Sequence, residues 1–362
     1  MYNFTVKSII HDYEVNFISD TKSTLLEELK EGDVIIIDNK IKNLYQDDLS
    51  GILGQYKYIG LDASEDQKSY EGVIPVIQTL IEKGFKKNHR LIAIGGGITQ
   101  DVTAFIASVL YRGVAWYFLP TSLLAQGDSC IGSKTSINFG PYKNQIGGFY
   151  PPNKIFINLS YLNTLSLLEL KSGMGEMCHY FIVSSEEDFN FFKSNYAGAL
   201  KDKSVLAKII ARSLEIKKSY IERDEFDKHE RLVFNYGHSF GHAIESLTNY
   251  RIPHGIAVSY GMDMANFVSV KLGYISEDVR QYIKELLQQI WEGTSLMDIS
   301  IDRLANALTK DKKNVGNQLG LILNKGYGKI FKDLRPLDDQ FKGWLKEYFE
   351  TSLNNADDLR HS

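Results

Sequence analysis

The segment from Arg90 to Val109, RLIAIGGGITQDVTAFIASV, restricts the fold more than any other stretch of this chain. The strand RLIAI breaks into three successive glycines, Gly95, Gly96 and Gly97, and Asp101 is expected to open a helix that runs through Val109. An apolar run with no polar alternation is a strand covered on both faces, as found inside a parallel sheet flanked by helices. A glycine turn between such a strand and a helix aims backbone N–H donors and the positive helix end at a pyrophosphate. The spelling is not G-x-G-x-x-G, so the turn alone equally fits a tight connection that holds no ligand.

Neighbouring runs extend the pattern. Val34 to Ile37 ending on Asp38, Tyr56 to Leu61, VAWYFLPTS and KIFINLS (Lys154 to Ser160) all read as strands. The first twenty residues alternate apolar and polar and read as a strand pair with His11 and Asp12 at the turn. Helices are expected over Ser23 to Lys30 and over Val73 to Ile81, the latter with Ser64 as cap. Asp38, at a strand's carboxyl end, suits a ribose hydroxyl or the cap of the next helix. From about Leu165 helical periodicity dominates, over Val205 to Ile221, His238 to Leu247, Ala257 to Leu272, Val279 to Ile290 and Phe341 to Leu353. The expected fold is therefore an α/β, Rossmann-like nucleotide-binding domain over residues 1–155 and an all-α domain for metal and substrate over 156–362. The terminal DDLRHS is expected to fray.

Between Pro120 and Tyr150 the chain packs Asp128, Lys134, Lys143 and Asn144 into a loop-like stretch with five glycines. The formal net charge is -4, so this cationic concentration is local. A solvated basic face is one reading. The lysines stand among Ile131, Ile137, Ile146 and Phe149, however, which favours a partly buried pocket for phosphate or carboxylate. The acidic balance gives no reason to expect nucleic acid or an anionic membrane as partner. Two cysteines far apart, Cys130 and Cys178, argue against a disulfide framework and a thiolate zinc site. With no secretory apolar region and no run of roughly twenty apolar residues, a reduced, cytoplasmic enzyme is expected.

Three places in the helical half carry polar groups. SGMGEMCHY puts Glu176 and His179 three positions apart, on one helical face. Arg231, Asn235, His238 and His242 follow at spacings of four, three and four, provided a helix has begun by His238. His254 stands between Pro253 and Gly255. A carboxylate with two histidines is a common catalytic zinc set. A histidine pair four apart also arises in a core or by coincidence at a surface, and spacing does not say which histidines coordinate and which meet substrate.

These residues resemble the sugar phosphate cyclase superfamily, and within it the 3-dehydroquinate synthases most closely. The likeness runs through Glu65 and Lys68, GGGITQD, YRG, PTSLLAQGDSCIGSKTSIN, KNQIGGFY, GMGE, RLVFNYGHSFGHAIE, HG and DKKN near Asp311. It implies a homodimer and a small-molecule sugar phosphate substrate. It implies a divalent metal, zinc or cobalt, on Glu176, His238 and His254. It implies NAD held by the positions of Asp38, Glu65, Lys68, Gly96, Gly97, Asp101, Thr121, Ser122, Lys134, Lys143 and Thr164. Substrate would meet Asp128, Lys134, Asn144, Lys217, Arg231, Asn235, His242 and one lysine of the pair Lys312 and Lys313, with Lys312 the first choice. Arg112 matches the position contributed across a homodimer interface.

The implied reaction is transient oxidation, phosphate elimination, reduction and aldol closure of 3-deoxy-arabino-heptulosonate 7-phosphate to 3-dehydroquinate. Two departures stand out: His179 replaces a family lysine, and Ser133 replaces a glycine. Imidazole is shorter than a lysine side chain and mostly neutral near pH 7. That keeps open a cyclase acting on sedoheptulose 7-phosphate or glucose 6-phosphate, although Lys217 and Arg231 suit a carboxylated substrate. A metal-dependent alcohol dehydrogenase is the alternative from another class; it would not need the cluster of Lys134, Lys143, Lys217 and Arg231.

Overall fold

The computed structural model describes residues 2–140, 142–296 and 299–353, so the expected fraying of residues 357–362 lies outside the described residues. The chain divides into two compact units, Met1–Ser166 with Ile210–Asp227, and Leu167–Ile209 with Lys228–Ser362. The boundary expected at residues 155–156 falls inside the strand Lys154–Ile157.

The first unit is built on strands β1 (Phe4–Val6), β2 (Tyr13–Phe17), β3 (Val34–Asp38), β4 (Lys57–Leu61), β5 (Leu91–Gly95) and β6 (Trp116–Pro120). β7 (Lys134–Phe139) and β8 (Tyr142–Phe149) form a separate antiparallel ribbon, and β9 (Lys154–Ile157) returns to the sheet. The seven-stranded sheet runs β1-β2-β9-β6-β5-β3-β4, parallel throughout except for β1 against β2. One face carries Ile35, Ile37, Ile92, Ile94 and Leu119 against Leu25, Ile41, Leu49 and Ile52. The alternate residues Ile36, Ala93 and Phe118 are buried on the other face, which is why these strands read as unbroken apolar runs. Ile37 is in register with Ile94, and Gly95 with Pro120. Asp38, Gly96 and Thr121 therefore leave the sheet at one carboxyl edge, where α/β sheets bind their ligands.

Three local expectations need correction. The helix Tyr70–Glu82 is capped by Ser69, whose side chain accepts from the Gly72 N–H, while Ser64 accepts from Gln67 one turn earlier. The helix after the triple glycine spans Gly97–Val109, so Asp101 lies in its second turn rather than at its start. The stretch read as a loop folds as a π-helical turn, Ala125–Ser129, followed by the β7–β8 ribbon.

The second unit is helical, as expected, with one addition. β10 (Gln318–Asn324) and β11 (Ile330–Pro336) pair as an antiparallel ribbon whose turn uses Gly326 and Gly328 at φ of 119° and 71°. At the centre is the helix His254–Lys271, buried continuously from Gly255 to Ser269, including the polar Ser259, Asp263, Asn266 and Ser269. It packs against the helices Leu167–Ser184, His238–Leu247 and Glu277–Trp291. Its Asp263 receives both Nε and Nη2 of Arg280 at 3.0 Å and the Tyr348 hydroxyl at 2.9 Å, tying three helices through one buried carboxylate. No helix among the described residues is long and apolar enough to cross a membrane.

Candidate metal and nucleotide sites

The metal set is assembled by glycine. A Cβ on Gly255 would stand 1.8 Å from the Ser172 carbonyl oxygen, and one on Gly261 would stand 1.9 Å from that of Gly237. The central helix therefore touches two of its neighbours backbone to backbone, and beside these contacts stand His254, Glu176 and His238. Gly237, at φ 81°, turns the chain from the 3-10 turn Glu230–Asn235 into the helix that starts at His238.

Glu176, His238 and His254 offer ligand atoms all within 4.8 Å of one another. Glu176 is 4% exposed, with Oε1 3.4 Å from His238 Nε2 and Oε2 3.3 Å from His254 Nε2. Each imidazole is oriented from behind. His238 Nδ1 donates to the Tyr236 carbonyl at 3.2 Å, and His254 Nδ1 donates to the Glu245 carboxylate at 3.0 Å. Both Nε2 atoms are thereby turned toward Glu176, the outer-shell arrangement that orients ligating imidazoles. Burial alone would raise the Glu176 carboxyl, but the two imidazoles hold it well below its ordinary value. Burial would lower His254, but Glu176 and then Glu245 hold it well above its own. The trio is thus built to keep positive charge between its members, and its donor set fits a zinc-like cation.

Beside the trio, His242 is exposed on its helix, yet the crowding of protein around it first, and then the neighbouring His238 and His254, push it down to about 3, so it is neutral at pH 7. Arg231 is buried, and Asn235 is half-buried with its Nδ2 donating to the Leu232 carbonyl at 3.2 Å. Lys312 is exposed, whereas Lys313 is buried, salt-bridged to Asp311 at 2.7 Å and among the charges that depress His242. His179 is 1% exposed, with Nδ1 3.9 Å from Glu176 Oε1 and its ring 5.4 Å from that of His238. Glu245 escaped the sequence reading, although its place three residues after His242 put it on the same helical face.

In the first unit, Gly96 caps the helix Gly97–Val109 with no side chain of its own, leaving the first backbone N–H groups open to an anion. A Cβ on Gly97 would meet nothing within 4 Å, so this end is roomy enough for a pyrophosphate. Lys68 pairs with Asp101 at 2.5 Å and Lys143 with Glu65 at 3.4 Å. Asp38 caps the helix Asn39–Leu44 by accepting from the Lys40 N–H, the second of its two expected roles. Thr121 hands its N–H to the Gly95 carbonyl, the Ser122 hydroxyl accepts from the Ala125 N–H, and the Thr164 hydroxyl contacts Tyr45 at 3.1 Å. Lys217 donates to the Asp128 carboxylate at 2.8 Å and to its carbonyl at 2.7 Å, and Lys134 pairs with Asp227. Asn144 is left-handed at φ 54°, as are Tyr111 and the exposed Arg112 at 49° and 64°.

A solved 2-deoxy-scyllo-inosose synthase, bound to carbaglucose-6-phosphate, NAD+ and Co2+, matches with a TM-score of 0.86 at 23% identity, over 95% of this chain and 99% of its own. A glycerol dehydrogenase from Schizosaccharomyces pombe matches less closely, with a TM-score of 0.61 at 15% identity over 96% of this chain and 92% of its own. The fold is thus the one shared by sugar phosphate cyclases and the more distant glycerol and alcohol dehydrogenases. Family models narrow the class. The 3-dehydroquinate synthase N-terminal model matches residues 58–172 and the C-terminal model residues 173–314. The 3-dehydroquinate synthase of Dictyoglomus thermophilum is 37% identical over 299 residues, 82% of this chain and 83% of that protein. The chain belongs to the 3-dehydroquinate synthase family.

Proposed function

We propose that the chain is a 3-dehydroquinate synthase, a carbon–oxygen lyase that converts 3-deoxy-arabino-heptulosonate 7-phosphate into 3-dehydroquinate and phosphate with NAD and one divalent metal. The observation that carries this reading is the trio Glu176, His238 and His254, with both imidazoles oriented by partners behind them, in a chain 37% identical to a relative of that name. The trio would hold zinc or cobalt. NAD would lie on the carboxyl edge of the sheet, with its pyrophosphate on the Gly96–Gly97 amides. When bound, NAD supplies a hydride acceptor regenerated in each turnover, and the metal a Lewis acid for neighbouring hydroxyls.

The protein's own groups account for the rest. The substrate has a carboxylate at one end and a phosphate at the other, so fixed cations are needed for both. Lys134 and Lys217, with the neutral amide of Asn144, are the first unit's candidates, and Arg231 and Lys313 are the second unit's, with guanidinium suited to bidentate carboxylate contact. Burial makes Lys313 the better member of its pair, in place of Lys312. Asp128 holds the Lys217 ammonium in one orientation. His242, neutral at pH 7, exchanges hydrogen bonds with a hydroxyl and adds no charge. We assign NAD binding to the first unit, metal binding to the second, and the protein to the cytoplasm. A homodimer is part of the same proposal, supported by the exposed, left-handed Tyr111–Arg112 corner.

The second reading, a cyclase for a neutral sugar phosphate, rests on His179, a buried imidazole beside Glu176 where the family carries an ammonium. Phosphate release by the zinc-loaded protein with catalytic NAD separates the two. Release from the seven-carbon keto acid phosphate without net NADH supports the synthase; release only from sedoheptulose 7-phosphate or glucose 6-phosphate replaces it with the second reading.

A further inference from the structure

Asn138 has no assigned role, yet it lies where two functional segments meet. It sits in β7 at the point where the β7–β8 register shifts, between the pairs Ile137–Ile146 and Phe139–Tyr142. The extra residues, Lys143 to Gln145, lie on β8 opposite Asn138, and Asn138 pairs instead with Ser69 in an isolated parallel bridge. Asn138 is 6% exposed overall, and both polar atoms of its side chain are used. Its Oδ1 accepts from the Asn144 backbone N–H at 3.0 Å. Its Nδ2 donates to Glu65 Oε2 at 2.8 Å and to the Glu65 carbonyl at 3.3 Å. Its own N–H donates to the Lys68 carbonyl at 2.8 Å. Glu65 Oε1 meanwhile faces Lys143 at 3.4 Å, so the ribbon grips both oxygens of one carboxylate.

We infer that Asn138 is a positioning residue that locks the Glu65–Lys68 segment to Asn144 and so couples the NAD contacts to a substrate contact. This rests on the reading that Glu65 and Lys68 meet NAD and Asn144 meets substrate. The physical basis is twofold. The left-handed backbone of Asn144, at φ 54°, is a conformation that non-glycine residues seldom adopt, and the Asn138 side-chain oxygen receives the N–H that this conformation presents. Glu65 is half exposed, so without the Asn138 amide its carboxylate would sample several rotamers. Because one amide serves both segments, ordering either orders the other, and the affinities for NAD and substrate become reciprocally linked.

The amide's two ends can be tested separately. Asn138→Asp keeps an acceptor for the Asn144 N–H, removes both donors and sets a carboxylate against Glu65. Asn138→Ala removes everything. NAD dissociation constants by fluorescence titration are expected to rise about tenfold in Asn138→Asp and in Asn138→Ala, the scale of a lost charged hydrogen bond. Only Asn138→Ala is expected to raise the substrate KM by a similar factor. In a Glu65→Gln background the introduced amide faces the introduced carboxylate, so Asn138→Asp should cause no further loss of NAD affinity, a coupling that general loosening would not produce.

Amide exchange in the ligand-free protein reads the same contact without NAD. The Asn144 N–H should be protected in the parent and in Asn138→Asp, and exposed in Asn138→Ala, with unchanged unfolding midpoints. Equal loss of NAD affinity for Asn138→Asp with and without Glu65→Gln, or equal Asn144 protection in all three proteins, overturns the inference. A parent protein that does not bind NAD at all, with the exchange pattern as expected, overturns instead the functional reading on which the coupling rests.

Discussion

A Cβ built on Gly175 would stand 2.3 Å from the carbonyl oxygen of Gly255. The residues next to these two glycines are Glu176 and His254, so this close backbone approach in the second unit is also what brings a carboxylate and an imidazole to 3.3 Å. At 3.3 Å they can share a cation. Larger residues at the crossing would push the helices apart by more than a metal–ligand bond tolerates.

Gly255→Ala should therefore lower zinc affinity at least tenfold and destabilise the protein by about 3 kcal/mol, as overpacking does. Gly343, in the helix Asp339–Tyr348, offers open space instead, since a Cβ there would meet nothing within 4 Å. Gly343→Ala should leave zinc affinity alone and raise stability by about 0.5–1 kcal/mol. Chelator competition and urea unfolding check both directions.

His238→Ala should abolish stoichiometric zinc while NAD affinity stays within about twofold, because the residue belongs to the metal set alone. Glu245→Ala should weaken zinc by about ten- to a hundredfold, since it frees the His254 ring rather than removing a ligand. Metal analysis after dialysis ranks the two variants. Unchanged metal content in His238→Ala would sink the ligand assignment.

Asp263→Ala should cost about 3–5 kcal/mol, the scale for leaving a buried guanidinium without its partner. Arg280 and Tyr348 both lose their acceptor in that variant. Urea midpoints, compared with those of the paired replacement of Asp263 and Arg280 by apolar residues, isolate the uncompensated charge as the cause.

Neither cysteine should react with a thiol reagent at pH 8 in the folded protein, and both should react in denaturant. Burial pushes the Cys130 thiol up to about 12 and raises Cys178 further. The same shifts set a sign for stability. The folded thiols ionise above the ordinary value of 9.0, so their contribution is complete below that pH and is lost as pH climbs through the raised values. Titration with a chromogenic disulfide counts the reactive thiols.

The strands of the sheet were legible because β3, β5 and β6 are buried on both faces, which leaves short apolar runs rich in β-branched and aromatic residues and ending in turn residues. The start of the helix at His238 was legible too, through the spacing of its histidines. The cap at Ser69 was not, since Ser64 offers the same hydroxyl one turn earlier and only the path of the backbone separates them. The β10–β11 ribbon was missed because LGLILN, taken by itself, suits a buried helix as well as a strand. Of the site, GMGE and the histidine motif were visible as spellings, but the close approach of Gly175 and Gly255 is a tertiary fact. The choice between Lys312 and Lys313 was equally invisible, being a matter of which way a turn faces.

The first unit is not continuous in the chain, because Ile210–Asp227 belongs with Met1–Ser166. Lys217 and Ser213, which hold Asp128 and the Gly127 carbonyl, arrive only after some forty further residues have been made. A ribosome that has finished residue 166 has therefore not finished this fold. Nor could a single crossover graft it elsewhere intact, because its residues come from two separate stretches of the chain.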